Sequence, residues 1–102
     1  MGTLINVSPT AAIPDGKAAA FDVGEKRVAI FNVGGSFFAI DDTCPHAGAS
    51  LSEGIVEGDE VECPWHSARF KIKSGAVTSP PSEEGVAKYN VRVTGDAIEV
   101  EV

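Results

Sequence analysis

The chain has 102 residues and a net charge of −7, from 8 Lys and Arg against 15 Asp and Glu. This length allows one domain with a modest core, but not a large catalytic domain as well. The acidic balance argues against nucleic acid and anionic membrane surfaces as partners, and it favours partners that present positive charge.

Short apolar runs divided by glycines dominate the first part of the chain. Residues 17–23, 27–33 and 36–41 are rich in Val, Ile, Phe and Ala, and Gly24-Glu25 and Gly34-Gly35 separate them. Runs of this length between turn residues are typical of β-strands, so we predict an antiparallel meander. The pattern contains no convincing long helix, no repeat and no linker.

All the cysteines and histidines of the chain occur in two short motifs. Cys44-Pro45-His46 is followed, after sixteen residues, by Cys63-Pro64-Trp65-His66. Each Cys precedes a Pro, which favours an extended backbone at the Cys and stiffens the loop. Residues 60–62 and 69–73 alternate polar and apolar side chains, so the second motif is predicted at the tip of a hairpin.

The end of the chain predicts a closing hairpin. Residues 89–93 and 97–102 flank Gly95-Asp96, a strong turn signal, and place valines and Ile98 at strand spacing. No apolar run approaches the roughly 18–20 residues of a membrane-spanning helix.

Two thiolates and two imidazoles can hold different metals. A Rieske-type two-iron two-sulfur centre places both thiolates on one iron and both imidazoles on the other. A zinc site uses the same donors, but zinc modules usually pair two cysteines within one knuckle, and Cys44 has no such neighbour. A Cys44–Cys63 disulfide would suit a secreted protein, yet residues 1–6 have no basic stretch and no long apolar run.

The chain resembles a small Rieske-type [2Fe-2S] ferredoxin, the electron-carrier component of bacterial ring-hydroxylating oxygenase systems. The resemblance covers nearly the whole length and rests on the two ligand motifs, Arg69-Phe70, Gly75-Ala76, Pro80-Pro81 and the closing hairpin. It implies an all-β fold in which residues 1–102 form one domain, an antiparallel β-sandwich or small barrel. A small cluster-binding subdomain is inserted at about residues 42–81.

The resemblance implies one [2Fe-2S] cluster per chain, with Cys44, His46, Cys63 and His66 as its ligands. It also implies a loop around Pro80-Pro81 that covers the cluster, although turn statistics alone fit an ordinary surface turn equally well.

The implied function is a soluble one-electron carrier, cytoplasmic and monomeric when free. Its partners would be a flavin-dependent ferredoxin reductase and a terminal Rieske non-haem iron oxygenase. We expect no enzyme active site, because the mononuclear iron of such an oxygenase needs two further histidines and a carboxylate, and no histidine is left over. Two alternatives stay open: the Rieske-like small subunit of a cytoplasmic nitrite reductase, and a zinc-stabilised interaction module.

Residues near the second motif predict a low reduction potential. The high-potential respiratory members of the family carry a Ser and a Tyr whose hydroxyls donate to cluster sulfurs, where this chain has Ala68 and Phe70. They also carry an extra cysteine in each loop, where this chain has Ala49 and Trp65. Without hydroxyl donors the reduced cluster is less stabilised, so we expect a low-potential carrier.

Other residues beside the motifs allow two interpretations each. Trp65 is expected to shield the cluster, with an apolar docking contact as the alternative. Gly48 either lets backbone N–H groups approach the sulfides or is a simple turn residue. Five acidic residues form either a solvated strand face or a docking patch for a basic partner: Glu53, Glu57, Asp59, Glu60 and Glu62.

Overall fold

A computed structural model describes residues 3–45, 48–65, 68–79 and 84–102. In these ranges the chain forms strands, two 3₁₀ turns at Thr10–Ala12 and Leu51–Glu53, and connecting loops. The predicted all-β class is confirmed, and the named strands pair antiparallel. The strands are β1 Leu4–Pro9, β2 Ala18–Val23, β3 Lys26–Val33, β4 Ser36–Asp41, β5 Ile55–Glu57, β6 Glu60–Glu62, β7 Arg69–Lys71, β8 Val77–Ser79, β9 Lys88–Tyr89, β10 Val91–Thr94 and β11 Ala97–Glu101.

The strands form three sheets, with the orders β1-β11-β10, β2-β3-β4-β9 and β5-β6-β7-β8. The first two sheets enclose one hydrophobic core, here called the base core, which gives the predicted sandwich. The second core, here called the ligand-side core, joins the second sheet to the third. The base core contains Ile13, Val23, Val28, Ile30, Ala39, Ile98 and Val100. The ligand-side core contains Ala29, Phe31, Ile40, Cys44, Ala49, Leu51, Val61, Cys63, Ala68, Phe70 and Ile72.

Strand β3 is buried on both of its faces. Val28 and Ile30 enter the base core, whereas Ala29 and Phe31 enter the ligand-side core. Because successive strand residues point to opposite faces, a strand covered on both sides needs a continuous apolar run rather than an alternating one. The sequence of residues 28–31 is such a run, and it makes β3 the floor on which the third sheet rests.

The meander of β2, β3 and β4 and the closing hairpin of β10 and β11 match the predicted strands. The predicted strand 89–93 is interrupted at one residue, because the chain leaves the second sheet after β9 and enters the first at β10. Asn90 lies between them and binds Glu101 through both its backbone and its side chain. The predicted strand 69–73 ends at Lys71, and three observed strands were not predicted: β1, β5 and β8.

Residues 80–83, which include the Pro80-Pro81 pair, lie outside the described ranges. The assignment of residues 42–81 as one cluster-binding subdomain, and of residues 1–102 as one domain, stays a prediction. Within the part of the chain that the structure covers, no helix is long and apolar enough to cross a membrane.

Asp41, the last residue of β4, holds the short strand β9 in place. Its carboxylate accepts a hydrogen bond of 2.6 Å from the Tyr89 hydroxyl and one of 3.1 Å from the Ala87 N–H. Burial raises the pKa of Tyr89 to about 12, and the hydrogen bond and charge of Asp41 act in the same direction. A phenolate beside this carboxylate would be repelled, so the neutral phenol is the stable form.

We therefore expect Tyr89 to titrate near pH 12 rather than at the usual value of about 10. The raised pKa stabilises the fold below about pH 10, and this contribution is lost as the pH rises from about 10 to 12. Tyr89 is the single tyrosine of the chain, so phenolate absorbance during an alkaline titration reports it alone. Tyr89→Phe gives the background absorbance without a tyrosine. A titration midpoint of the phenolate absorbance near pH 10 in the parent would contradict the prediction.

Candidate metal centre

The two cysteines arrive in the same core from separate loops. Cys44 follows β4 and Cys63 follows β6, each is 1% exposed, and both pack in the ligand-side core. They are not joined in a disulfide. His46 and His66, the other two predicted ligands, lie outside the described residues.

The two loops share one hydrogen-bonding pattern. The Cys44 N–H donates to the Ala49 carbonyl at 2.9 Å, and the Cys63 N–H donates to the Ala68 carbonyl at 2.8 Å. The flanking residues pair as well, Thr43 with Ser50 and Glu62 with Arg69. Each cysteine therefore sits at the same position of an equivalent hairpin loop, with its side chain directed into the core.

The sequence carries a signal of this equivalence beyond the Cys and His residues themselves. Both loops read Cys-Pro followed by three residues and Ala, at 44–49 and at 63–68. The alanine matters because its carbonyl closes the loop on the cysteine N–H and its small side chain is buried. A larger residue at Ala49 or Ala68 would compete with the cysteine for space in the ligand-side core.

Gly48 is a turn residue. Its φ of +74° lies in the left-handed region, which glycine adopts without strain. Its own N–H donates to the Cys44 carbonyl at 2.8 Å. This N–H is therefore used inside the loop, which supports the simple-turn interpretation.

The donor set and its surroundings fit a thiolate-bound metal centre. Two buried thiols are presented by two stiff loops, and the side chains that surround them are apolar, including Ala68 and Phe70, which are both fully buried. Such surroundings exclude water from the metal and supply no side-chain hydroxyl at positions 68 and 70.

Arg69 partly neutralises the acidic stretch. Its guanidinium lies 2.6 Å from Glu57, 3.1 Å from Glu60 and 3.5 Å from Glu62, and the Glu57 hydrogen bond is the largest of the effects that raise the pKa of Arg69. Sequence reading missed these pairs because Arg69 comes from β7, across the sheet from β6. Glu53 and Asp59 form no ion pair with any residue that the structure describes.

Trp65 is 68% exposed. The expectation that it packs as a shield is wrong in this structure, because the surrounding protein covers less than half of it. A large aromatic surface next to a ligand loop is the type of residue that protein interfaces use as an anchor. The exposure therefore favours the docking interpretation of Trp65.

Comparison with known proteins gives a consistent family. The Rieske [2Fe-2S] domain matches residues 3–90. The 3-phenylpropionate/cinnamic acid dioxygenase ferredoxin subunit of Escherichia coli strain K12 is 41% identical over 99 residues, which are 96% of this chain and 92% of that protein.

Solved structures of similar fold include ferredoxins of oxygenase systems. The ferredoxin of carbazole 1,9a-dioxygenase from Nocardioides aromaticivorans IC177 has a TM-score of 0.91 and 36% identity, covering 96% of both chains. A complex of reduced oxygenase and oxidised ferredoxin in carbazole 1,9a-dioxygenase contains a chain with a TM-score of 0.89 and 32% identity, covering 96% of this chain and 92% of that one. A chain described as a nitrite reductase small subunit from Mycobacterium tuberculosis, at 24% identity, a TM-score of 0.90 and coverage of 100% and 96%, shares the fold.

Gly54 brings the two ligand loops together, and its replacement should disturb both. A Cβ at this position would lie 2.1 Å from the Glu62 carbonyl oxygen, the residue before Cys63. We expect Gly54→Ala to lower the free energy of unfolding by about 1–3 kcal/mol or more, because the backbone must move apart. Urea unfolding of the parent and the variant measures it.

Gly16→Ala provides a control for the loss of a glycine, since no atom lies within 4 Å of a Cβ there, although its φ of +80° adds backbone strain. If Gly54→Ala is as stable as the parent, the backbone at Gly54 can move away from the Glu62 carbonyl without cost, and the prediction is contradicted.

Proposed function

Because the chain belongs to the Rieske [2Fe-2S] domain family, we propose that it is a one-electron carrier of a ring-hydroxylating oxygenase system. It accepts an electron from a flavin-dependent ferredoxin reductase and passes it to the Rieske centre of a terminal oxygenase. The observation that carries this proposal is the 41% identity, over 96% of the chain, to a dioxygenase ferredoxin subunit. The carrier works in the cytoplasm, where thiols stay reduced.

The proposed ligands are the four residues of the two motifs. Cys44 and Cys63 hold one iron through thiolates, and His46 and His66 hold the other through neutral imidazoles. Support comes from the equivalent loops that direct Cys44 and Cys63 into one core. Each histidine follows its cysteine in the sequence, by two residues in the first motif and by three in the second.

When bound, the cluster supplies a centre that takes up and returns one electron. The residues of the chain determine how readily the centre is reduced. Neutral imidazoles in place of two anionic thiolates favour reduction relative to a four-cysteine site. Apolar Ala68 and Phe70 offer no hydroxyl to stabilise the additional negative charge. The buried core around the cysteines keeps water away from the thiolates.

The alternatives receive less support. The likeness to nitrite reductase small subunits lies below 25% identity and concerns the fold alone. A zinc module would use the same four donors, but it would require zinc in a domain whose family carries a [2Fe-2S] cluster. Metal content separates zinc from iron, and the oxygenase assay below separates the two electron-transfer roles.

Metal analysis is the first test. We expect two irons and two acid-labile sulfides per chain in protein made with iron available, and a red-brown colour. Replacement of any proposed ligand, for example Cys63→Ser or His66→Ala, should abolish the cluster, because one of the two irons loses one of its two protein donors. One tightly bound zinc and no sulfide would contradict the proposal.

The reduction potential tests the role of residues 68 and 70. We expect the parent towards the lower end of the Rieske range of about −150 to +300 mV. Ala68→Ser combined with Phe70→Tyr should raise the potential, since hydroxyl donors stabilise the more negative reduced cluster. Redox titration followed by visible spectroscopy measures both.

Phe38→Tyr is the control for the potential measurement, because it adds a hydroxyl at a half-buried residue that packs against the same core from β4. A parent potential above zero, or no rise in a double variant that keeps its cluster, would contradict the assigned role of Ala68 and Phe70.

We propose that docking uses Trp65 together with the acidic residues that lack an internal partner. Arg69 already pairs with Glu57 and Glu60, so Glu53 and Asp59 have more of their charge available to a basic partner. Electrostatic attraction speeds encounter, and short-range apolar contact then fixes the orientation in which the electron is transferred near His46 and His66.

Electron transfer from the prereduced carrier to the oxygenase tests the docking proposal. Raising salt from about 0.05 to 0.5 M should slow transfer, because the screening length falls from roughly 14 to 4 Å. Glu53→Gln with Asp59→Asn should weaken this salt dependence more than Glu57→Gln with Glu60→Gln, whose carboxylates are paired. Trp65→Ala should slow transfer at all salt concentrations.

Stopped-flow spectroscopy gives the rates, and unchanged visible spectra check that each variant keeps its cluster. Glu25→Gln, in the turn between β2 and β3, is the charge control. Rates that respond neither to salt nor to these variants would leave the acidic stretch as a solvated face.

A further inference from the structure

Asp42 is the most deeply buried charged residue among those that the structure describes, with its side chain 2% exposed. It follows β4 and lies two residues before Cys44. A carboxylate at such depth must be hydrogen-bonded or paired, because desolvation strongly disfavours an isolated charge. Its partners therefore indicate what the charge is used for.

Most partners of Asp42 come from the far end of the first ligand loop. The carboxylate accepts a 2.6 Å hydrogen bond from the Ser50 hydroxyl and a 2.9 Å hydrogen bond from the Ser52 N–H. The backbone carbonyl of Asp42 accepts the Leu51 N–H at 2.6 Å. One residue before the loop thus binds three consecutive residues after it, and the loop with Cys44 is closed between them.

Arg27 connects this anchor to the base of the molecule. Its Nε lies 3.3 Å from the Asp42 carboxylate, and its carbonyl accepts the Asp42 N–H at 3.0 Å. Arg27 belongs to β3, the strand buried on both faces. The contact therefore fixes the loop relative to a central strand of the second sheet.

The second ligand loop has no need of such an anchor. Three residue pairs between β6 and β7 close it as a regular hairpin stem. Among its described residues, the first loop has one isolated bridge, between Thr43 and Ser50, in place of a stem of paired strands. A single bridge leaves the direction of the loop poorly determined, and the buried carboxylate supplies the hydrogen bonds that strand pairing supplies to the other loop.

We propose that Asp42 is the positioning residue of the first ligand loop: its buried carboxylate sets the orientation of the Cys44 side of the cluster relative to the Cys63 side. This inference rests on the proposed function, because it concerns the residues that hold the cluster. Asp41 has a separate task, since its carboxylate faces Ala87 and Tyr89 instead of the loop.

The holoprotein and its Asp42→Asn variant test the proposal. An amide at position 42 has one acceptor oxygen and no charge, so it cannot satisfy Ser50, Ser52 and Arg27 together. Loss of one hydrogen bond to a buried charge corresponds to about a tenfold change in an equilibrium. We expect iron release to a chelator to become about tenfold faster, and the g-values or linewidths of the reduced cluster to change in electron paramagnetic resonance.

Asp22→Asn is the matched control. Asp22 pairs with the same Arg27, at 3.1 Å, but its side chain is exposed, and no hydrogen bond or ion pair joins it to the described residues of the loop. We expect its iron release and spectrum to equal those of the parent. If Asp42→Asn does not retain its cluster, Ser50→Ala removes the 2.6 Å bond to the carboxylate and the 2.9 Å contact between the Ser50 and Ser52 hydroxyls, but keeps the bond from the Ser52 N–H. It should give a smaller change in the same direction.

Amide exchange separates this inference from the proposed function. Residues 48–53 should exchange faster in Asp42→Asn than in Asp22→Asn, whatever metal the parent binds. A parent without iron and sulfide would end the proposed function but leave this comparison intact. Parent-like iron release, spectrum and exchange in a folded Asp42→Asn would overturn the positioning role, as would a lower melting temperature without any change in these three measurements.

Discussion

Two thiols from separate loops must reach one small core, and much of the structure follows from this constraint. Cys44 and Cys63 are both buried in the ligand-side core. A core shared by two loops requires a floor, which β3 supplies through Ala29 and Phe31, and it requires stems that hold the loops in register. The third sheet provides one stem, and the carboxylate of Asp42 provides the hydrogen bonds of the other.

The ion pairs also divide between the two ligand loops. Arg69 pairs with acidic residues on β5 and β6 and connects the third sheet from one strand to the next. Arg27 pairs with Asp42 and connects the first loop to the base. Arg69 and Arg27 are therefore engaged in internal pairs, whereas Glu53 and Asp59 form no ion pair with a described residue. Unpaired carboxylates together with an exposed Trp65 suit transient docking, in which electrostatic attraction brings partners together without holding them tightly.

The sequence predicted the all-β class and the central strands because short apolar runs between glycines carry a strong local signal. It did not predict that β9 and β10 separate at Asn90, because the change of sheet depends on which strands are already paired and leaves the apolar spacing intact. β1, β5 and β8 were missed as well. The two cysteine motifs were clear, but the matching alanines at 49 and 68 became meaningful only through the hydrogen bonds that their carbonyls accept.

The central claim is that one iron is held by two cysteines and the other by His46 and His66. Electron–nuclear double resonance on the reduced protein, prepared with ¹⁵N-histidine, tests it most directly. We expect two distinct nitrogen couplings from directly bound imidazoles, and the ¹⁵N label should convert both from ¹⁴N to ¹⁵N signals. In His46→Ala, any cluster that remains should show at most one such coupling. A reduced cluster without strongly coupled histidine nitrogen, or with only one in the parent, would contradict the assignment.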